Sequence, residues 1–542
     1  VFDFEYSPTP GHNPNPVCCT FKELKSGKQE THWYLGETPD WPYDNSNTLW
    51  ICHNAVAEVS CMLELGLERP GFVWDTMIQD MKLQRGIENR FNLLACCERF
   101  GIETITEAQK NMFRDMIIDN YPNYSKEQQH KIKEYNVSDV IENEKLFLGQ
   151  VALFGKRQPV FKTTLSQAIF HGAAQAVIAR IERNGIPLNY ELYDDMEKYF
   201  PQIKAQEIEE LKKVADIYVG DKWNNKKFAV FLNKLGLLRN WPRTKTGQPA
   251  QDDRTLYRYS STYPIIQQIR EAKFIIGAKN LKGYCVGKDK RSRAPLKLFG
   301  QITGRTNVST AINPFGAPRR MRNIIGTSKD KLIVYADWKS QEVVIQGALS
   351  KDQNIKAAIA TGDPYLFTAK KAKAIPQDAI RKDYETEREL YKQTYLAIGY
   401  GQTAIGLKAK LDISESEASY LLSNLKRIYP TYFKWIDGHI KFSVARGFFE
   451  TKYGWRFYVS DKEKMNPRTL MNWALIHIDR KGAREKIEKI KSIMSEAANK
   501  VIGTPIQVDT KLITHAFRQK EPHQERWNIL YEKLLKAKKE VA

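Results

Sequence analysis

The sequence predicts a multidomain α/β protein on three observations: its length, its composition and its alternation of strand-like and helical segments. The chain has 542 residues, which suggests two to four domains. Hydrophobic residues make up 42% and charged residues 27%, values that are typical of folded globular proteins. No apolar run is long enough to span a bilayer, so we expect no membrane partner.

Strand-like and helical patterns follow one another along the chain. Alternating apolar residues at 1–6 predict a strand, and a second apolar stretch ends at Cys52. Residues 155–164 have the composition of a linker. The remaining predictions are helices at 55–66, 88–100 and 106–150, a helix-rich region at 165–235 with a break at 184–187, a hydrophobic strand at 331–336, helices over most of 352–450 and mixed α/β structure to the end.

The charge is distributed unevenly along the chain. The whole chain carries 84 Lys and Arg against 63 Asp and Glu, a net charge of +21. Residues 1–150 hold 14 basic and 23 acidic side chains, a net of −9, so the remainder carries +30. An acidic unit joined to a large basic one favours a polyanionic partner, with nucleic acid as the leading candidate. A solubilising basic surface is the alternative.

The cysteines predict neither disulfides nor a zinc site. The seven residues form two adjacent pairs and three single positions, without a Cys-x-x-Cys or His-Glu-x-x-His pattern. Free thiols are typical of a reducing compartment, so we expect a cytoplasmic protein.

Carboxylates at strand and helix spacing predict a metal site in the acidic unit. Asp3 and Glu5 lie two apart on the first strand, so both point to one face. Glu58 begins a helix, and Asp139 follows Tyr135 by one helical turn. Converging carboxylates would bind two divalent ions that activate a water for phosphodiester cleavage, with Tyr135 orienting the water. The alternative is a solvated strand face.

A second set of residues points to nucleotide chemistry in the basic unit. Arg388, Lys392 and Tyr400 recur along one face of a helix that ends in Gly. The two cations repel each other unless an anion such as a triphosphate lies between them, and the aromatic ring can stack under a base. Asp337 ends a hydrophobic strand, where a carboxylate can hold a metal. The alternatives are a solvated basic helix and a strand-terminating Asp.

The acidic unit resembles the DnaQ-like 3′→5′ proofreading exonucleases. Their three motifs are matched by Asp3-Phe4-Glu5, Asn54-(x3)-Glu58 and Tyr135-(x3)-Asp139. The second motif usually carries Asp where this chain has Glu58, one methylene longer. The resemblance implies two Mg²⁺ or Mn²⁺ ions held by Asp3, Glu5 and Asp139.

The basic unit resembles family A, polymerase-I-like DNA polymerases. Its motif sequences most resemble those of phage-encoded replicative members. The matching segments are Asp337-(x4)-Glu342 (motif A), Arg388-(x3)-Lys392-(x7)-Tyr400 (motif B), Thr303-Gly304-Arg305 in the palm and Arg468-(x3)-Asn472 after motif B.

This resemblance implies a role for each matching residue. Asp337 would bind both catalytic Mg²⁺ or Mn²⁺ ions, and Glu342 would exclude the ribose 2′-hydroxyl. Arg388 and Lys392 would hold the triphosphate, while Tyr400 would close the base-pair pocket. These roles imply deoxynucleoside triphosphates as substrates.

The remaining matches imply contacts with primer–template DNA. Arg305 would follow the shape of the minor groove, and Arg468 and Asn472 would lie beside the primer–template. Accessory replication proteins are a further possible class of partner. The similarity of the motif sequences to phage-encoded members implies replication in an infected bacterial host.

The two resemblances together imply a ribonuclease-H-like exonuclease domain followed by a right-hand polymerase domain. The implied order is an exonuclease at 1–150, a linker at 151–164, thumb and connecting helices at 165–300, the first part of the palm at 301–345, fingers at 346–440 and the second part of the palm at 441–542.

One polymerase motif is missing from the sequence. Family A places a His-Asp hairpin, motif C, after a long palm helix, but here Trp473 is followed directly by Ala474 and a strand-like segment. The chain also begins with Val1 rather than Met. We expect that Trp473 and Ala474 are not neighbours in the native protein, and that the intervening segment carries the second metal carboxylate.

The sequence leaves three functions to compare. The leading one is a replicative DNA polymerase with a proofreading exonuclease. The alternative is a 3′→5′ exonuclease whose polymerase-like domain binds DNA but no longer polymerises, and a third is a DNA-binding scaffold. Primer extension with and without deoxynucleotides separates them.

Overall fold

The structure is a computed structural model that is mixed α/β and mostly helical. It describes residues 1–35, 43–84, 87–155, 165–244, 246–277, 284–301, 305–308, 319–327, 331, 333–411, 413–450, 455–459, 492–499, 505–513 and 523–541. Among these residues, no helix is both long and apolar enough to cross a membrane.

The chain begins with an antiparallel sheet of three strands, and a parallel pair of strands follows it. The sheet consists of β1 (Phe2–Ser7), β2 (Asn15–Lys22) and β3 (Gln29–Trp33), and the pair consists of β4 (Leu49–Cys52) and β5 (Phe72–Asp75). Phe2 and Phe4 of β1 are buried in the core, whereas Asp3 and Glu5 alternate onto the other face. The period-2 pattern of the sequence therefore describes this strand well.

Six helices surround these strands. They are α1 (Ala55–Glu64), α2 (Thr76–Gln84), α3 (Leu93–Arg99), α4 (Glu107–Asn120), α5 (Lys126–Gly155) and α6 (Leu165–Asn184). Thr106 and Gln109 form a reciprocal capping box that fixes the start of α4. The helical patterns at 55–66, 88–100 and 106–150 thus correspond to α1, α3 and the pair α4–α5.

Helix α6 packs against α1 and β5, although the sequence places residue 165 at the start of the thumb. The helix approaches the strand so closely that a Cβ at Gly172 would lie 2.0 Å from the carbonyl oxygen of Val73. Only glycine fits this position without movement. The predicted linker at 151–164 lies mostly outside the described residues, which resume at residue 165.

A second helical group follows. It contains α7 (Tyr190–Lys212), α8 (Asn225–Lys234), α9 (Asp253–Ser260) and α10 (Pro264–Ile276), with short strands β6 (Ile186–Pro187), β7 (Tyr218–Val219), β8 (Lys222–Trp223), β9 (Arg291–Ser292), β10 (Leu296–Lys297) and β11 (Asn307–Val308) and a 3₁₀ helix, Arg319–Ile324. The C-terminal helix α18 (His523–Val541) packs on α7, where Trp527, Leu530 and Leu534 join the core.

Strand β12 (Ile333–Trp338) pairs antiparallel with β15 (Val508–Ile513). It leads into a helical subdomain whose core contains five buried tyrosines: Tyr365, Tyr391, Tyr395, Tyr429 and Tyr432. The helices are α11 (Gln341–Ser350), α12 (Gln353–Ala360), α13 (Pro364–Lys371), α14 (Glu385–Gly399), α15 (Ala404–Leu411), α16 (Glu415–Ile428) and α17 (Pro430–Arg446), followed by the hairpin of β13 (Phe448–Glu450) and β14 (Arg456–Tyr458).

The hairpin contacts the N-terminal unit through α2. The Phe299 ring stacks on Trp455 with centroids 3.8 Å apart, and His171 of α6 meets both rings edge-on. Lys82 of α2 is buried at this contact, near Arg456. A buried lysine beside an arginine is electrostatically unfavourable.

Candidate active sites

Three carboxylates predicted to bind metal lie together on the N-terminal unit. One carboxylate oxygen from each of Asp3, Glu5 and Asp139 lies within 4.8 Å of the other two. Strand β1 supplies the first two residues and α5 supplies the third. Oxygen atoms at this spacing are the ligands that Mg²⁺ and Mn²⁺ prefer, so the residues present fit such an ion.

Glu58 lies beside this group but has a different environment. It is buried at the start of α1, and its Oε2 accepts a hydrogen bond of 2.7 Å from the backbone N–H of Phe4. One of its oxygens is therefore engaged by the strand that carries Asp3 and Glu5. The side chain of Glu58 thus reaches the backbone of β1.

Burial gives the cluster unusual acid–base properties. Burial raises the pKa of Asp3 and of Glu5 well above the usual carboxyl range, and the neighbouring carboxylates raise both values further. Burial and then Asp3 raise the pKa of Glu58 in the same way. Crowded buried carboxylates of this kind need cations or protons to be stable.

Lys110 supplies a cation that the sequence analysis did not identify. Its Nζ donates to Oδ1 of Asp139 at 2.6 Å and to Oε2 of Glu142 at 3.2 Å. The ammonium also lies 5.8 Å from the ring centroid of Tyr135, which stacks on Phe113 at 4.8 Å. The three-residue spacing of Lys110 and Phe113 is the feature of the sequence that places both side chains on one face of α4.

Two further polar residues hold the cluster in place, and sequence reasoning missed both contacts. Asn136 donates through Nδ2 to Oδ2 of Asp3 at 2.7 Å. Asp75 accepts from the backbone N–H groups of Ala55 and Ile78 at 2.8 and 3.1 Å, which anchors the N-terminus of α1. These contacts fix β1 against α5 and orient the helix that carries Glu58.

Three residues predicted for the polymerase site meet although they are far apart in the sequence. The hydroxyl of Tyr400 donates to Oε1 of Glu342 at 3.2 Å and accepts from Nη2 of Arg305 at 3.4 Å. Burial and then Glu342 raise the pKa of Tyr400 to about 12, so the phenol stays protonated at neutral pH. The end of α14, the start of α11 and residue 305 therefore share one site.

Asp337 lies on β12, five residues before Glu342 in the sequence. Its Oδ2 accepts a hydrogen bond of 3.3 Å from the hydroxyl of Tyr335. Asp509 of β15 is its direct partner in the antiparallel register, so both residues lie on one face of the strand pair. Asp509 was not identified from the sequence, because strand pairing over this separation has no local signal.

Both predicted triphosphate ligands are paired with carboxylates. Nε of Arg388 donates to Oδ2 of Asp363 at 2.7 Å, and the guanidinium lies 5.5 Å from the ring centroid of Tyr365. Nζ of Lys392 lies 3.3 Å from Oε2 of Glu389. The structure therefore presents these cations on α14 with counter-ions in place.

Some predicted residues lie outside the described part of the chain. These are Thr303, Gly304, Arg468 and Asn472, together with the Trp473–Ala474 junction. Their predicted DNA contacts, and the predicted break in the chain, therefore remain predictions.

The chain and its fold have relatives among known proteins. The family model for DNA polymerase family A matches residues 195–507, which is more than half of the chain. The chain therefore belongs to DNA polymerase family A. This family was the one that motifs A and B predicted.

Curated relatives support the same family at low sequence identity. The chain is 24% identical over 304 residues to DNA polymerase I of Chloroflexus aurantiacus, which covers 53% of this chain and 31% of that protein. It is 23% identical over 298 residues to the thermostable DNA polymerase I of Thermus thermophilus, covering 53% and 35%. For DNA polymerase I of Caldicellulosiruptor bescii the values are 23% over 371 residues, 64% and 42%. The matches thus span about a third to two fifths of these relatives.

A solved structure resembles the whole fold. The polymerase domain of Pol1 from M. smegmatis, solved in complex with DNA primer–template and dNTP, has a TM-score of 0.66. The similarity covers 99% of this chain and 92% of that one at 17% sequence identity. At this identity the similarity shows a common fold.

Proposed function

We propose that the protein is a template-directed DNA polymerase that adds deoxynucleotides to a primer 3′ end. The observation that carries the proposal is the meeting of Arg305, Glu342 and Tyr400 in one site, with Asp337 five residues before Glu342 in the sequence. The family implies this set of residues, and here three separate segments converge on it. Membership of family A supports the same reaction class.

Each residue has a distinct task in the proposed reaction. Tyr400 lies at the end of α14 and would contact the nascent base pair, while Glu342 would meet the sugar and exclude a 2′-hydroxyl. Arg388 and Lys392 would bind the triphosphate through charge-assisted hydrogen bonds. Primer–template DNA would lie along the basic residues that follow residue 150.

We propose divalent cations at both sites. Asp337 would hold one at the polymerase site, and Asp3, Glu5 and Asp139 would hold Mg²⁺ or Mn²⁺ on the N-terminal unit. Such ions, two per site in our proposal, supply charge neutralisation for phosphoryl transfer. The expected motif C carboxylate would complete the set of metal ligands at the polymerase site.

We further propose that the N-terminal unit is a 3′→5′ proofreading exonuclease. The convergence of the three carboxylates with Tyr135 one helical turn before Asp139 supports this activity. The Tyr135 hydroxyl would orient the attacking water. A role in phage replication remains a prediction from the amino-acid sequence of residues 362–365.

Primer extension tests the two activities separately. The full chain should extend a primer with deoxynucleotides and shorten it without them. Asp3→Ala combined with Glu5→Ala should abolish shortening and keep extension, because the polymerase site lies on other elements. Asp337→Asn should abolish extension and keep shortening. A wild-type chain that shortens primers but never extends them would instead establish the exonuclease-only alternative.

A further inference from the structure

The two cations on α14 are held by carboxylates of different kinds. Arg388 and Lys392 lie one helical turn apart, so their side chains share a face of the helix. Asp363 precedes α13, whereas Glu389 lies on α14 between the two cations in sequence. The contacts of these two carboxylates differ in length and in strength.

Asp363 is a fixed partner of Arg388. Its Oδ2 accepts from Nε of Arg388 at 2.7 Å, and its Oδ1 caps α13 by accepting from the backbone N–H of Leu366 at 3.2 Å. Both oxygens are therefore engaged, one by a helix terminus that cannot move alone. Nη1 of the same guanidinium lies 3.7 Å from Oε2 of Glu389 and 4.0 Å from Oε1 of Glu385.

Glu389 is a loosely held partner of both cations. Its Oε2 lies 3.3 Å from Nζ of Lys392 and 3.7 Å from Nη1 of Arg388. Its Oε1 accepts hydrogen bonds of 3.5 Å from Nζ of Lys392 and from Nε2 of Gln393, and its side chain is 40% exposed. Long, exposed contacts of this kind contribute little to stability.

We propose that Glu389 is a resident counter-ion of the triphosphate-binding cations, which the nucleotide displaces when it binds. The proposal rests on the proposed polymerase function, because it takes Arg388 and Lys392 as the triphosphate ligands. The carboxylate of Glu389 and a nucleotide phosphate compete for the same two cations. Glu389 therefore raises the KM for nucleotide, whereas Asp363 lowers it by orienting Arg388.

Two substitutions that each remove one negative charge beside Arg388 test the proposal by their opposite effects. Glu389→Gln should lower the KM for deoxynucleotide roughly two- to fivefold, the factor that corresponds to an exposed ion pair, with little change in kcat. Asp363→Asn keeps a helix-capping side chain but loses the charged acceptor, so KM should rise severalfold.

Glu387→Gln is the matched control. Glu387 lies on the same helix two positions before Glu389, and side chains at this spacing do not face each other. The control makes the same charge change on a part of the helix surface that does not face Glu389. Its KM for deoxynucleotide should therefore equal that of the parent. All variants are made in the full chain that carries Asp3→Ala and Glu5→Ala, so that primer degradation does not obscure insertion of a single nucleotide.

Salt dependence provides a second readout that a purely structural role would not change. Without Glu389 the site carries one more net positive charge, so KM of Glu389→Gln should rise more steeply with ionic strength than KM of the parent. An unchanged or raised KM, or an equal decrease in Glu387→Gln, overturns the proposal.

Lys392→Ala distinguishes failure of this proposal from failure of the proposed function. If Lys392 binds the triphosphate, its removal should raise KM at least about tenfold with DNA affinity kept, because a charge-assisted contact is lost. If Lys392→Ala behaves so while Glu389→Gln does not, only the counter-ion proposal fails. If Lys392→Ala leaves KM unchanged, the assignment of the triphosphate site itself fails.

Discussion

Lys110→Met is the substitution that most directly tests the charge balance of the carboxylate cluster. The lysine side chain is 12% exposed and forms ion pairs with Asp139 and Glu142, whose side chains are similarly buried. Met keeps most of the length of the side chain and removes the charge. Removing one partner of a buried ion pair costs about 3–5 kcal/mol, because the remaining charge is left without compensation.

The loss should depend on conditions in two ways. A bound divalent cation neutralises the same carboxylates, so the loss of stability should be largest in EDTA and smaller in millimolar Mg²⁺ or Mn²⁺. Protonation of the carboxylates also removes their negative charge and so also reduces the loss of stability. Because the pKa values of Asp3 and Glu5 are raised, these groups take up protons at a higher pH than ordinary carboxyl groups do, and the loss should shrink as the pH is lowered.

Thermal and urea unfolding of the full chain measure this effect. Lys131→Met is the control, since Lys131 pairs with Glu127 on the same unit but both side chains are exposed, and its loss should be below about 0.5 kcal/mol. A loss for Lys110→Met that is no larger than the control, or that is the same in EDTA and in metal, would refute the reasoning.

The remaining predictions concern the sugar of the nucleotide and the packing of α6. Glu342→Ala should admit ribonucleotides, because it removes the side chain proposed to exclude the 2′-hydroxyl; continued rejection in single-nucleotide insertion would remove Glu342 from that role. Gly172→Ala should destabilise the N-terminal unit by about 1–3 kcal/mol in urea unfolding, because the added Cβ would meet the carbonyl oxygen of Val73 at 2.0 Å. A neutral effect would mean that α6 can shift away from β5.

Sequence periodicity predicted the elements that carry the sites. Alternation in residues 1–6 correctly placed Asp3 and Glu5 on one face of a strand, because a strand's side-chain direction follows directly from its period. One-turn spacing likewise placed Arg388 and Lys392 on a common helix face. These are local properties, and a single segment contains all the information they require.

Contacts between segments could not be predicted in the same way. Lys110 and Asp139 lie on different helices, and their pairing depends on how α4 packs beside α5. Asp363 and Arg388 are joined through the placement of α13 against α14. The resemblance supplied Arg305 and Tyr400 as site residues, but their contact required the fold.

Lys82 gives a last prediction, about the contact between the N-terminal unit and the β13–β14 hairpin. The side chain is buried, and its Nζ has no hydrogen-bond partner within the described part of the chain. Burial and then Arg456 lower its pKa from 10.5 to about 8. Below pH 8 the lysine is charged in both states, so the folded state is destabilised by up to about 3 kcal/mol, at 1.36 kcal/mol per unit.

Lys82→Met should therefore stabilise the protein at pH 7. Between pH 8 and 10.5 the unfolded wild type holds a proton that the folded wild type has lost, so wild-type stability rises with pH over that window. The advantage of Lys82→Met should accordingly shrink from pH 8 to 10.5, whereas Lys131→Met should show no such window. Unfolding in urea at pH 7 and pH 10 measures both. A substitution that destabilises the protein, or an advantage that is equal at the two pH values, would mean that Lys82 is not held as an uncompensated charge at this contact.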